Sequence, residues 1–382
     1  MFSLELTDIQ LQVQDAARKF AQEEIAPTAL ERDINQVFPH EIMEKMGALG
    51  FLGMTVSPDW DGSGLDTISY VLAMVEFSKA DASIGIILSV QNSLVDWILE
   101  NYGSDYQKEK YLKPLARGEY IGAYCLSEPE AGSDARHINT SAKKDGDHWI
   151  LNGTKNWISS GKNADVFIVF AQTDKELLHK GIVCFVVEKD TEGIEIGKKE
   201  DKMGMRSSDT VTLGLTNVRL SEDNLIGSVG EGFYIAMKGL NGGRIGIASQ
   251  SLGIAKGAFE RSVKYARERK TMGKPIANHQ LIQQKIAQMS MKIDAAELLI
   301  LKAAWLRDRG VDHIRAASEA KLFASTAAFD IARDAVQIHG GYGYVREYEV
   351  ERMLRDAKVT EIYEGTSEIQ HMVIAREVFK NM

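Results

Sequence analysis

The residue of this sequence that is best suited to catalysis is Glu364, a carboxylate set between a tyrosine and a glycine. Apolar residues recur at helical spacing from Ile369 onward, and Ser367 with Gln370 forms a capping-box pattern, so we predict that a helix begins here. An apolar pocket raises the pKa of a carboxylic acid, whereas a helix N-terminus lowers it. A carboxylate on this turn could therefore act as a general base. Acidic residues are also common in capping turns, and the turn alone does not decide between the two interpretations.

Two further segments contain residues that could contact a ligand, although each also has a purely structural interpretation. The segment Leu126–Asp134, L-S-E-P-E-A-G-S-D, contains a proline and a glycine that interrupt regular structure, so we predict a loop between strands. Loops of this kind expose backbone N–H groups, although a polar surface turn has the same composition. The segment Trp157–Ser159 is predicted to lie in a strand, where a tryptophan is more often part of the core than a cofactor contact.

The elements that must position these residues change character twice along the chain. The composition, 44% hydrophobic and 26% charged, is typical of a globular protein. The length of 382 residues predicts two or three domains, or one large domain built in layers. Residues 7 to about 115 show helical periodicity, and helical patterns return from Gly232, most clearly in Leu281–Leu301 and His313–Ile338. The pattern alone indicates an α+β protein.

Between the two helical regions the sequence predicts an antiparallel sheet, because short β-branched or alternating runs follow one another without intervening helices. A tight turn is predicted at Asn152–Gly153. The predicted strands are His148–Leu151, Val166–Ala171, Ile182–Glu188, Ile194–Ile196 and Val211–Leu215.

Composition excludes several classes of function. The net charge of −9 argues against nonspecific binding to nucleic acid or to an anionic membrane. No apolar run reaches membrane-spanning length, and the longest candidate, Ile84–Leu88, is short and resembles a buried helix segment. Cys125 and Cys184 lie in strand-like contexts, so neither a disulfide framework nor a metal site is expected. The first residues resemble neither a signal nor a transit peptide, which favours a bacterial cytoplasmic protein over one of the mitochondrial matrix.

Five motifs, in register along the chain, resemble the acyl-CoA dehydrogenase family, and within it the short-chain, butyryl-CoA type. The resemblance runs from about residue 5 to about residue 378. It implies an N-terminal helical domain (1–119), a middle antiparallel β domain (120–230) and a C-terminal four-helix-bundle domain (231–382). The motifs are Leu126–Asp134, Asn152–Ser159 (N-G-T-K-N-W-I-S), Arg269–Gln280 (R-K-T-M-G-K-P-I-A-N-H-Q), Gln337–Tyr344 (Q-I-H-G-G-Y-G-Y) and Tyr363–Gln370 (Y-E-G-T-S-E-I-Q).

The resemblance implies FAD-dependent α,β-dehydrogenation of a short-chain acyl-CoA to a trans-2-enoyl-CoA. Glu364 would remove the α-proton while flavin N5 accepts the β-hydride, and the electrons would pass to electron-transfer flavoprotein. The family's homotetramer, a dimer of dimers, is expected. Family members of the isovaleryl type place their glutamate just before Arg244, where this chain has Gly243, so the base is expected to be Glu364.

The same resemblance assigns binding roles residue by residue. The flavin would be lined by Tyr124, Leu126, Ser127, Ser133, Trp157, Ile158 and Ser159. The pyrophosphate and adenosine of an FAD held mainly by a neighbouring subunit would be reached by Arg269, Gln280, Gln337, Gly340 and Gly341, with Thr366 and Glu368 contacting the same FAD at the opening of the last helix. The acyl-CoA would be bound by Ser133, Asn241, Arg244, Tyr363 and Gly365.

Three departures from the family pattern bear on these expectations. Asn241 replaces the usual aspartate, which puts a contact with the pantetheine chain in doubt, and Met272 replaces a phenylalanine, which predicts altered packing but retained FAD binding. Asp96 stands where a small or apolar residue is usual, and we expect it to face solvent; the alternative is that it marks an unusual substrate.

Other functions remain open at this stage. An acyl-CoA oxidase would use the same base and flavin, although typical oxidases have a longer chain. A branched, cyclic or medium-chain acyl-CoA could replace the short-chain substrate. A noncatalytic member of the fold that binds nucleic acid would need a basic face, against which the sequence pI of about 5.5 argues.

Overall fold

Helices, a sheet and then more helices follow one another along the chain in the computed structural model, which describes residues 5–380. The predicted α+β fold with a helical start, a β middle and a helical end is confirmed. The outer ends of the predicted ranges 1–119 and 231–382 lie outside the described residues, and the divisions after residues 119 and 230 stay predictions. The helices are α1 (Asp8–Phe20), α2 (Ala29–Asn35), α3 (His40–Ala48), α4 (Thr67–Ala80), α5 (Ala82–Ser89), α6 (Trp97–Tyr102), α7 (Asp105–Gln107), α8 (Lys113–Arg117), α9 (Gly232–Glu268), α10 (Gln280–Asp308), α11 (Ile314–His339), α12 (Val350–Thr360) and α13 (Ser367–Lys380).

The helix α5 continues through a π-helical segment, Val90–Asp96, into α6. Over Ala82–Tyr102 this continuous stretch has the length and apolar composition of a membrane span, but 94% of its apolar window is buried inside the protein, as in the core helix of a globular domain. Asp96 is fully buried, so the expectation that it faces solvent is wrong. Burial, with the nearby Glu100, raises the pKa of Asp96 well above its usual value and favours the protonated acid.

The middle of the chain forms a twisted eight-stranded sheet in the order β6-β7-β3-β2-β4-β5-β8, with β1 beside β4. The sheet is mainly antiparallel, but β1 and β2 both run parallel to β4. Its inward residues build a dense apolar cluster around Phe167, Phe185 and Leu213. The strands are β1 (Gly122–Cys125), β2 (Ser141–Asp145), β3 (His148–Ser159), β4 (Val166–Gln172), β5 (Ile182–Glu188), β6 (Ile194–Ile196), β7 (Thr210–Ser221) and β8 (Leu225–Ile226); a separate hairpin pairs β9 (Lys270–Thr271) with β10 (Lys274–Pro275).

The predicted turn at Asn152–Gly153 is wrong. Strand β3 runs straight through these residues, and its hairpin with β2 closes earlier, where Asp145 pairs with His148. Gly153 instead occupies a register shift opposite β7, with φ +156°. A side chain there would collide with Thr140, which explains the glycine without a turn.

The C-terminal helices pack as a bundle around α9, which also contacts α4. Small residues make this close packing possible: α11 presents a stripe of fully buried alanines at helical spacing. Gly246 of α9 lies so close to α4 and α5 that a side chain on it would meet the Tyr70 hydroxyl at 2.7 Å. The buried alanines of α11 are Ala317, Ala320, Ala324, Ala328, Ala332 and Ala335.

The helix α12 leads into the turn of Glu364 and is fixed by charged contacts to the rest of the chain. Arg355 pairs with Asp33 of α2 at 2.7 Å. Asp356 is buried and accepts a hydrogen bond of 2.6 Å from the backbone N–H of Met205, in the middle region. The start of the turn is therefore held by the N-terminal helices and by the β region together.

Candidate active site

Glu364 lies on a short turn between α12 and α13, as predicted, but the turn is more strained than its sequence indicates. The N–H groups of Ile362 and Tyr363 both donate to the carbonyl of Val359, so the chain remains coiled up to Tyr363. Glu364 then adopts a left-handed conformation with φ +55°, followed by Gly365 at φ +90°. A left-handed residue other than glycine costs free energy, and such outliers cluster at functional sites.

The opening of α13 differs from the predicted capping box. Ser367 is already the first helical residue, and its hydroxyl donates back to the carbonyl of Glu361 at 3.4 Å. The capping acceptor is the hydroxyl of Thr366, 3.4 Å from the N–H of Ile369. The helix therefore begins as predicted, with the cap one residue earlier.

The side chain of Gln370 is used within the turn. Its amide Nε2 donates to the carbonyls of Glu364 at 3.2 Å and of Gly365 at 2.9 Å. Lys321 of α11 donates from Nζ to the same Gly365 carbonyl at 2.8 Å. The two carbonyl groups of the turn are thus held from inside the fold.

The carboxylate of Glu364 packs against α9 at Gly243. Its Oε2 atom is buried and has no hydrogen-bond partner among the described residues. Burial raises the pKa of Glu364 to about 7, against the lowering effect of the positive charges of Arg244 and Lys321. A carboxylate with an unpaired oxygen and a pKa close to neutral pH is suited to proton transfer at that pH.

Arg244 approaches Glu364 from α9 and is itself almost fully buried. Its NH1 donates to Oδ1 of Asn241 at 2.9 Å and to the hydroxyl of Ser318 at 3.3 Å. Burial lowers the pKa of Arg244 to about 10, and the Glu364 carboxylate acts in the opposite direction. Because residue 241 is an amide in this chain, it orients the guanidinium without neutralising it, and the charge of Arg244 acts on Glu364.

Tyr363 reaches into the bundle and contacts α9. Its hydroxyl donates to Oε1 of Gln250, and the amide Nε2 of Gln250 donates to the carbonyl of Ala82 at 2.7 Å. Gln250 is fully buried on α9. Gln250 could not be identified from the sequence, because a lone glutamine in an apolar helix carries no local signal of its contact with Tyr363.

The two segments assigned to the flavin lie side by side. The N–H of Asn156 in β3 donates to the carbonyl of Ser127 at 2.8 Å, which joins the loop after β1 to the strand that carries Trp157. Trp157 is not part of the core: it has φ +61° within an irregular part of the β3–β7 pairing, and 62% of its surface is exposed. The next residue, Ile158, is buried in the apolar cluster of the sheet.

The loop after β1 is fixed by a buried ion pair that the sequence analysis missed. Lys155 has no exposed side-chain surface, and its Nζ lies 2.8 Å from Oε1 of Glu128 and 3.1 Å from the carbonyl of Leu126. The carboxylate of Glu128 also accepts hydrogen bonds from the N–H groups of Asn139 and Thr140. The outward neighbours on this loop, including Ser133, are exposed.

The surroundings of this loop fit a flavin. The hydroxyl of Tyr124, at the end of β1, is buried without a hydrogen-bond partner in the described chain. Burial and the nearby Glu364 carboxylate raise the pKa of Tyr124 well above its usual value, which also places β1 close to the base. An exposed aromatic face beside unpaired polar groups suits a planar cofactor with polar edges.

The residues assigned to the nucleotide part of FAD fall into two separate groups. Arg269 lies with its guanidinium 5.5 Å from the ring centre of Tyr342, which directly follows the paired glycines. Gly340 has φ +61°, and nothing lies within 4 Å of a side chain placed on it or on its neighbour. No described contact joins this group to Thr366 and Glu368, near the base. The first group consists of five residues that are all exposed in the chain: Arg269, Gln280, Gln337, Gly340 and Gly341.

Met272 packs against almost nothing in its own chain. It occupies the tip of the β9–β10 hairpin with φ +51° and is 93% exposed. Tyr344 and Leu281, near the same glycines and at the start of α10, are 86% and 75% exposed. Among residues 5–380, no group of three or more His, Cys, Asp or Glu side chains is placed to hold a metal ion.

Three family profiles match nearly the whole chain. They describe the N-terminal domain of acyl-CoA dehydrogenase (residues 7–119), its middle domain (123–218) and its C-terminal domain (230–379). The short-chain specific acyl-CoA dehydrogenase of Clostridium acetobutylicum is 45% identical over 98% of this chain and 99% of its own length. The 3-(aryl)acrylate reductase of Clostridium sporogenes is 47% identical over 96% of this chain and 98% of its own length.

Solved structures give the same result. Butyryl-CoA dehydrogenase from Megasphaera elsdenii superimposes with a TM-score of 0.97 at 43% identity, over 99% of this chain and all of that one. A chain from a structure described as the electron transferring flavoprotein of Acidaminococcus fermentans, on flavin-based electron bifurcation, superimposes with a TM-score of 0.98 at 44% identity, over 99% and 100% of the two chains.

Proposed function

The chain belongs to the acyl-CoA dehydrogenase family of FAD-dependent oxidoreductases, and on that premise we propose that it dehydrogenates a short-chain acyl-CoA to the trans-2-enoyl-CoA with Glu364 as the base. One observation carries this proposal. The Glu364 carboxylate has an unpaired buried oxygen, and its pKa is raised by burial to about 7. A free glutamate with a pKa of about 4.3 would be a much weaker base.

The turn of Glu364 can also serve the thioester carbonyl. Abstraction of the α-proton places negative charge on this carbonyl oxygen, and a fixed donor nearby stabilises that charge. The backbone N–H of Glu364 makes no hydrogen bond to any described residue, while both carbonyls of the turn are occupied. The N–H is therefore available as this donor, and bound FAD supplies the acceptor for the β-hydride.

The chain offers two surfaces for FAD. We assign the isoalloxazine ring to the pair of segments joined through Asn156, where Trp157 and the hydroxyls of Ser127, Ser133 and Ser159 would surround it. Arginine pairs well with phosphate oxygens, and Arg269 is exposed next to paired glycines. The remaining contacts in this assignment come from Tyr124, Leu126, Ile158, Gln280, Gln337, Gly340, Gly341, Thr366 and Glu368.

A second copy of the chain would complete the cofactor site. The Arg269 group lies apart from the base within one chain, and it is bordered by the exposed apolar residues Met272, Tyr344 and Leu281. Exposed apolar surface of this kind is typical of an interface. We therefore propose the homotetramer, in which these residues reach the FAD of a neighbour.

The short-chain preference rests on the bundle beside the base and on the named relatives. The Tyr363 hydroxyl donates to the buried Gln250, which links α9 to the start of α5 through the Ala82 carbonyl. Asn241, Arg244 and Gly365 would line the acyl-CoA site together with Ser133 from the loop after β1. A branched, cyclic or medium-chain substrate remains the alternative, and the buried Asp96 is the residue that would mark an unusual acyl group.

Electron-transfer flavoprotein is the proposed electron acceptor, supported by the similarity to the chain from Acidaminococcus fermentans. Oxygen is the alternative acceptor. A second candidate function is the reverse reaction, reduction of an acrylate-type double bond, because one relative at 47% identity is a 3-(aryl)acrylate reductase. In that direction Glu364 would return the proton to the α-carbon. A bacterial cytoplasmic location stays a prediction.

Anaerobic flavin bleaching tests the proposal. Wild type and Glu364→Gln are mixed separately with butyryl-CoA and octanoyl-CoA while the visible flavin spectrum is followed. Wild type should bleach fastest with butyryl-CoA, whereas Glu364→Gln should bind FAD and remain yellow. Bleaching of Glu364→Gln at the wild-type rate would refute the assignment of the base.

The acceptor and the direction need two further measurements. Peroxide formed in step with turnover in air would favour an oxidase, and its absence together with turnover on added electron-transfer flavoprotein would favour a dehydrogenase. Wild type reduced by dithionite and mixed with cinnamoyl-CoA should reoxidise slowly if the acyl-CoA reaction is the natural one. Rapid reoxidation, combined with no bleaching by butyryl-CoA, would support the reductase.

A further inference from the structure

Lys321 is a buried cation beneath the turn of Glu364. It lies on α11 with no exposed surface, and its Nζ donates to the carbonyl of Gly365 at 2.8 Å. Lysine is almost never fully buried unless its charge is paired. Here no described carboxylate lies within 4 Å of Nζ, and the backbone carbonyl is its one hydrogen-bond partner in residues 5–380. A neutral side chain could fill this place at a lower cost in desolvation, so the charge itself requires an explanation.

The hydrogen bond acts on the part of the turn that matters for the base. Lys321 and Gln370 hold the carbonyl of Gly365 from two sides, and Gln370 also holds that of Glu364. These contacts keep the peptide groups oriented so that Glu364 retains φ +55° and its N–H stays unbonded. Removing one anchor would let the turn relax toward an ordinary conformation.

The charge of Lys321 also reaches Glu364. The charged groups that act on Glu364 are Arg244 from α9 and Lys321 from α11; three phenols also lie near it, those of Tyr70 from α4, Tyr124 from β1 and Tyr363 from its own turn. All three phenols have raised pKa values and are neutral at pH 7. Two buried cations therefore oppose the effect of burial on the base.

The surroundings of Lys321 leave it protonated at neutral pH. Burial and Arg244 lower its pKa, while Glu364, Glu361 and Glu368 raise it, with the result at about 8. The ammonium is thus charged when the enzyme works near pH 7, and it loses its proton in a slightly alkaline solution.

We propose that Lys321 is a positioning residue for the reaction: it holds the Gly365 carbonyl so that Glu364 presents its N–H to the thioester, and its charge helps to keep the Glu364 carboxylate ionised. This inference rests on the proposed role of Glu364 as the base. It adds a second function to a residue that would otherwise be read as part of the bundle core.

Two variants separate the two effects. Lys321→Met removes the donor and the charge, whereas Lys321→Gln removes the charge and keeps an N–H donor on a slightly shorter side chain. Lys358→Met is the matched control, because Lys358 pairs with Glu361 at the start of the same turn but is 46% exposed. Each variant is purified with FAD, and its flavin spectrum and thermal midpoint are compared with those of wild type.

The first readout is the rate of anaerobic bleaching by butyryl-CoA from about pH 6 to about pH 9. The second is the ultraviolet absorbance of the enolate of bound acetoacetyl-CoA over the same range. This ligand has an acidic α-proton but no saturated β-carbon from which a hydride could leave, so it reports proton transfer to Glu364 alone.

Both variants should raise the pH midpoint of bleaching and of enolate formation, by on the order of one unit for the loss of a nearby opposite charge. In Lys321→Met the limiting rate at high pH should also fall by roughly 10- to 100-fold, as misplaced groups do, whereas Lys321→Gln should keep most of it. Lys358→Met should match wild type in both readouts.

Unchanged midpoints and limiting rates in FAD-bound Lys321→Met would overturn the proposal. If Lys321→Met does not fold, Lys321→Gln decides through its midpoint. If neither variant can be obtained with FAD bound, Lys321 is a structural residue and the proposal also fails. Failure of the proposed function itself has a different signature, since Glu364→Gln would then bleach like wild type whatever the Lys321 variants do.

Discussion

Gly243 and Glu364 form a matched pair across the interface between α9 and the turn after α12. A β-carbon on Gly243 would lie 2.5 Å from Oε2 of Glu364 and 2.9 Å from its carboxyl carbon. The absent side chain therefore provides the space that the carboxylate fills. The family resemblance gives this contact a meaning, because isovaleryl-type members carry their glutamate at the position of Gly243. By this resemblance, the same space would be filled by a carboxylate from α9 in isovaleryl-type members, whereas in this chain the carboxylate of Glu364 fills it from the turn.

Gly243→Ala should therefore displace the base. Side chains do not approach a β-carbon to 2.5 Å, so the carboxylate must move, and an error of about 1 Å in a catalytic group can cost on the order of 10²-fold in rate. We expect a loss of this size in anaerobic bleaching by butyryl-CoA, with the flavin spectrum retained.

A glycine on the same helix supplies the control. A β-carbon on Gly239 would meet Ile98 at an ordinary 3.4 Å, so Gly239→Ala should keep the bleaching rate and gain roughly 0.5–1 kcal/mol of stability from helix propensity. Equal losses of rate in the two variants would show that α9 tolerates no alanine in general, and the specific pairing with Glu364 would be rejected.

The pH dependence of kcat/KM should report the ionisation of Glu364. The carboxylate must be ionised to accept a proton, so kcat/KM should rise tenfold per pH unit below about 7 and level off above it. Asn241→Asp would place a negative charge on Arg244, whose NH1 lies 2.9 Å from Oδ1, and would weaken the cation that favours the ionised base. The midpoint should move to higher pH.

The pH midpoints of wild type and Asn241→Asp must be compared at substrate concentrations below KM, because kcat/KM reports the ionisation of the free enzyme. Ser318→Ala, which removes the second partner of Arg244 without adding a charge, should shift the midpoint less than Asn241→Asp. A midpoint that moves to lower pH in Asn241→Asp would contradict the role given to Arg244.

Glu364 should make the stability of the ligand-free protein depend on pH. Its pKa is raised from 4.5 to about 7 on folding, so the folded chain holds this proton more tightly than the unfolded chain. The resulting stabilisation is fully present below pH 4.5 and is lost as the pH rises through about 7. Glu364→Gln imitates the neutral acid at every pH, so its thermal midpoint should exceed that of wild type increasingly between about pH 5 and about pH 8. A difference that stays constant over this range would show that the carboxylate is not buried in solution.

The buried pair Lys155–Glu128 should control FAD binding. Lys155→Met would leave the carboxylate of Glu128 buried without its partner, which typically costs about 3–5 kcal/mol, and would free the Leu126 carbonyl. We expect the loop after β1 to loosen, the thermal midpoint to fall, and FAD to dissociate on gel filtration. Adding Glu128→Gln to Lys155→Met should recover part of the stability.

An exposed ion pair in the same sheet is the reference for this prediction. Arg219 and Asp145 lie 2.9 Å apart and are 54% and 65% exposed, so Asp145→Asn should change stability by no more than about 1 kcal/mol. Retention of FAD by Lys155→Met at wild-type affinity would mean that the loop does not depend on the ion pair.

The sequence predicted the long elements well because their patterns are local. The helices α10 and α11 and the strands β4 and β5 have near-continuous periodic or β-branched sequences. Their bounds agree with the predicted ones to within one residue, except that α10 ends at Asp308 and not at Leu301. Asn152–Gly153 has the dipeptide of a tight turn but lies within a strand, because its register with β7 is set by residues more than sixty positions away. Asp96 is buried for a similar reason, since a single carboxylate carries no signal that the surrounding helices enclose it.

The residues of the candidate site also differ in whether the sequence alone reveals them. Glu364 and its turn could be found from a motif, whereas Lys321, Gln250 and Lys155 could not, because each acts through a contact with a residue more than twenty-five positions distant. Their local sequences indicate ordinary helix or strand positions. Buried polar residues with a single distant partner become visible only when the elements are packed together.

Gln250 should limit the length of the acyl chain. It is fully buried, accepts a hydrogen bond from the Tyr363 hydroxyl, and donates to the Ala82 carbonyl at 2.7 Å. Gln250→Ala would release the ring of Tyr363 and open space beside the base. We expect the ratio of kcat/KM for octanoyl-CoA to that for butyryl-CoA to rise by on the order of tenfold, which corresponds to about 1.4 kcal/mol of binding energy in the transition state. The control is Ser251→Ala, because the neighbouring Ser251 is equally buried but donates only to the Ile247 carbonyl of its own helix at 2.7 Å. If both variants lower the thermal midpoint while neither changes the ratio, Gln250 only stabilises the bundle, and the short-chain preference must come from another wall of the site.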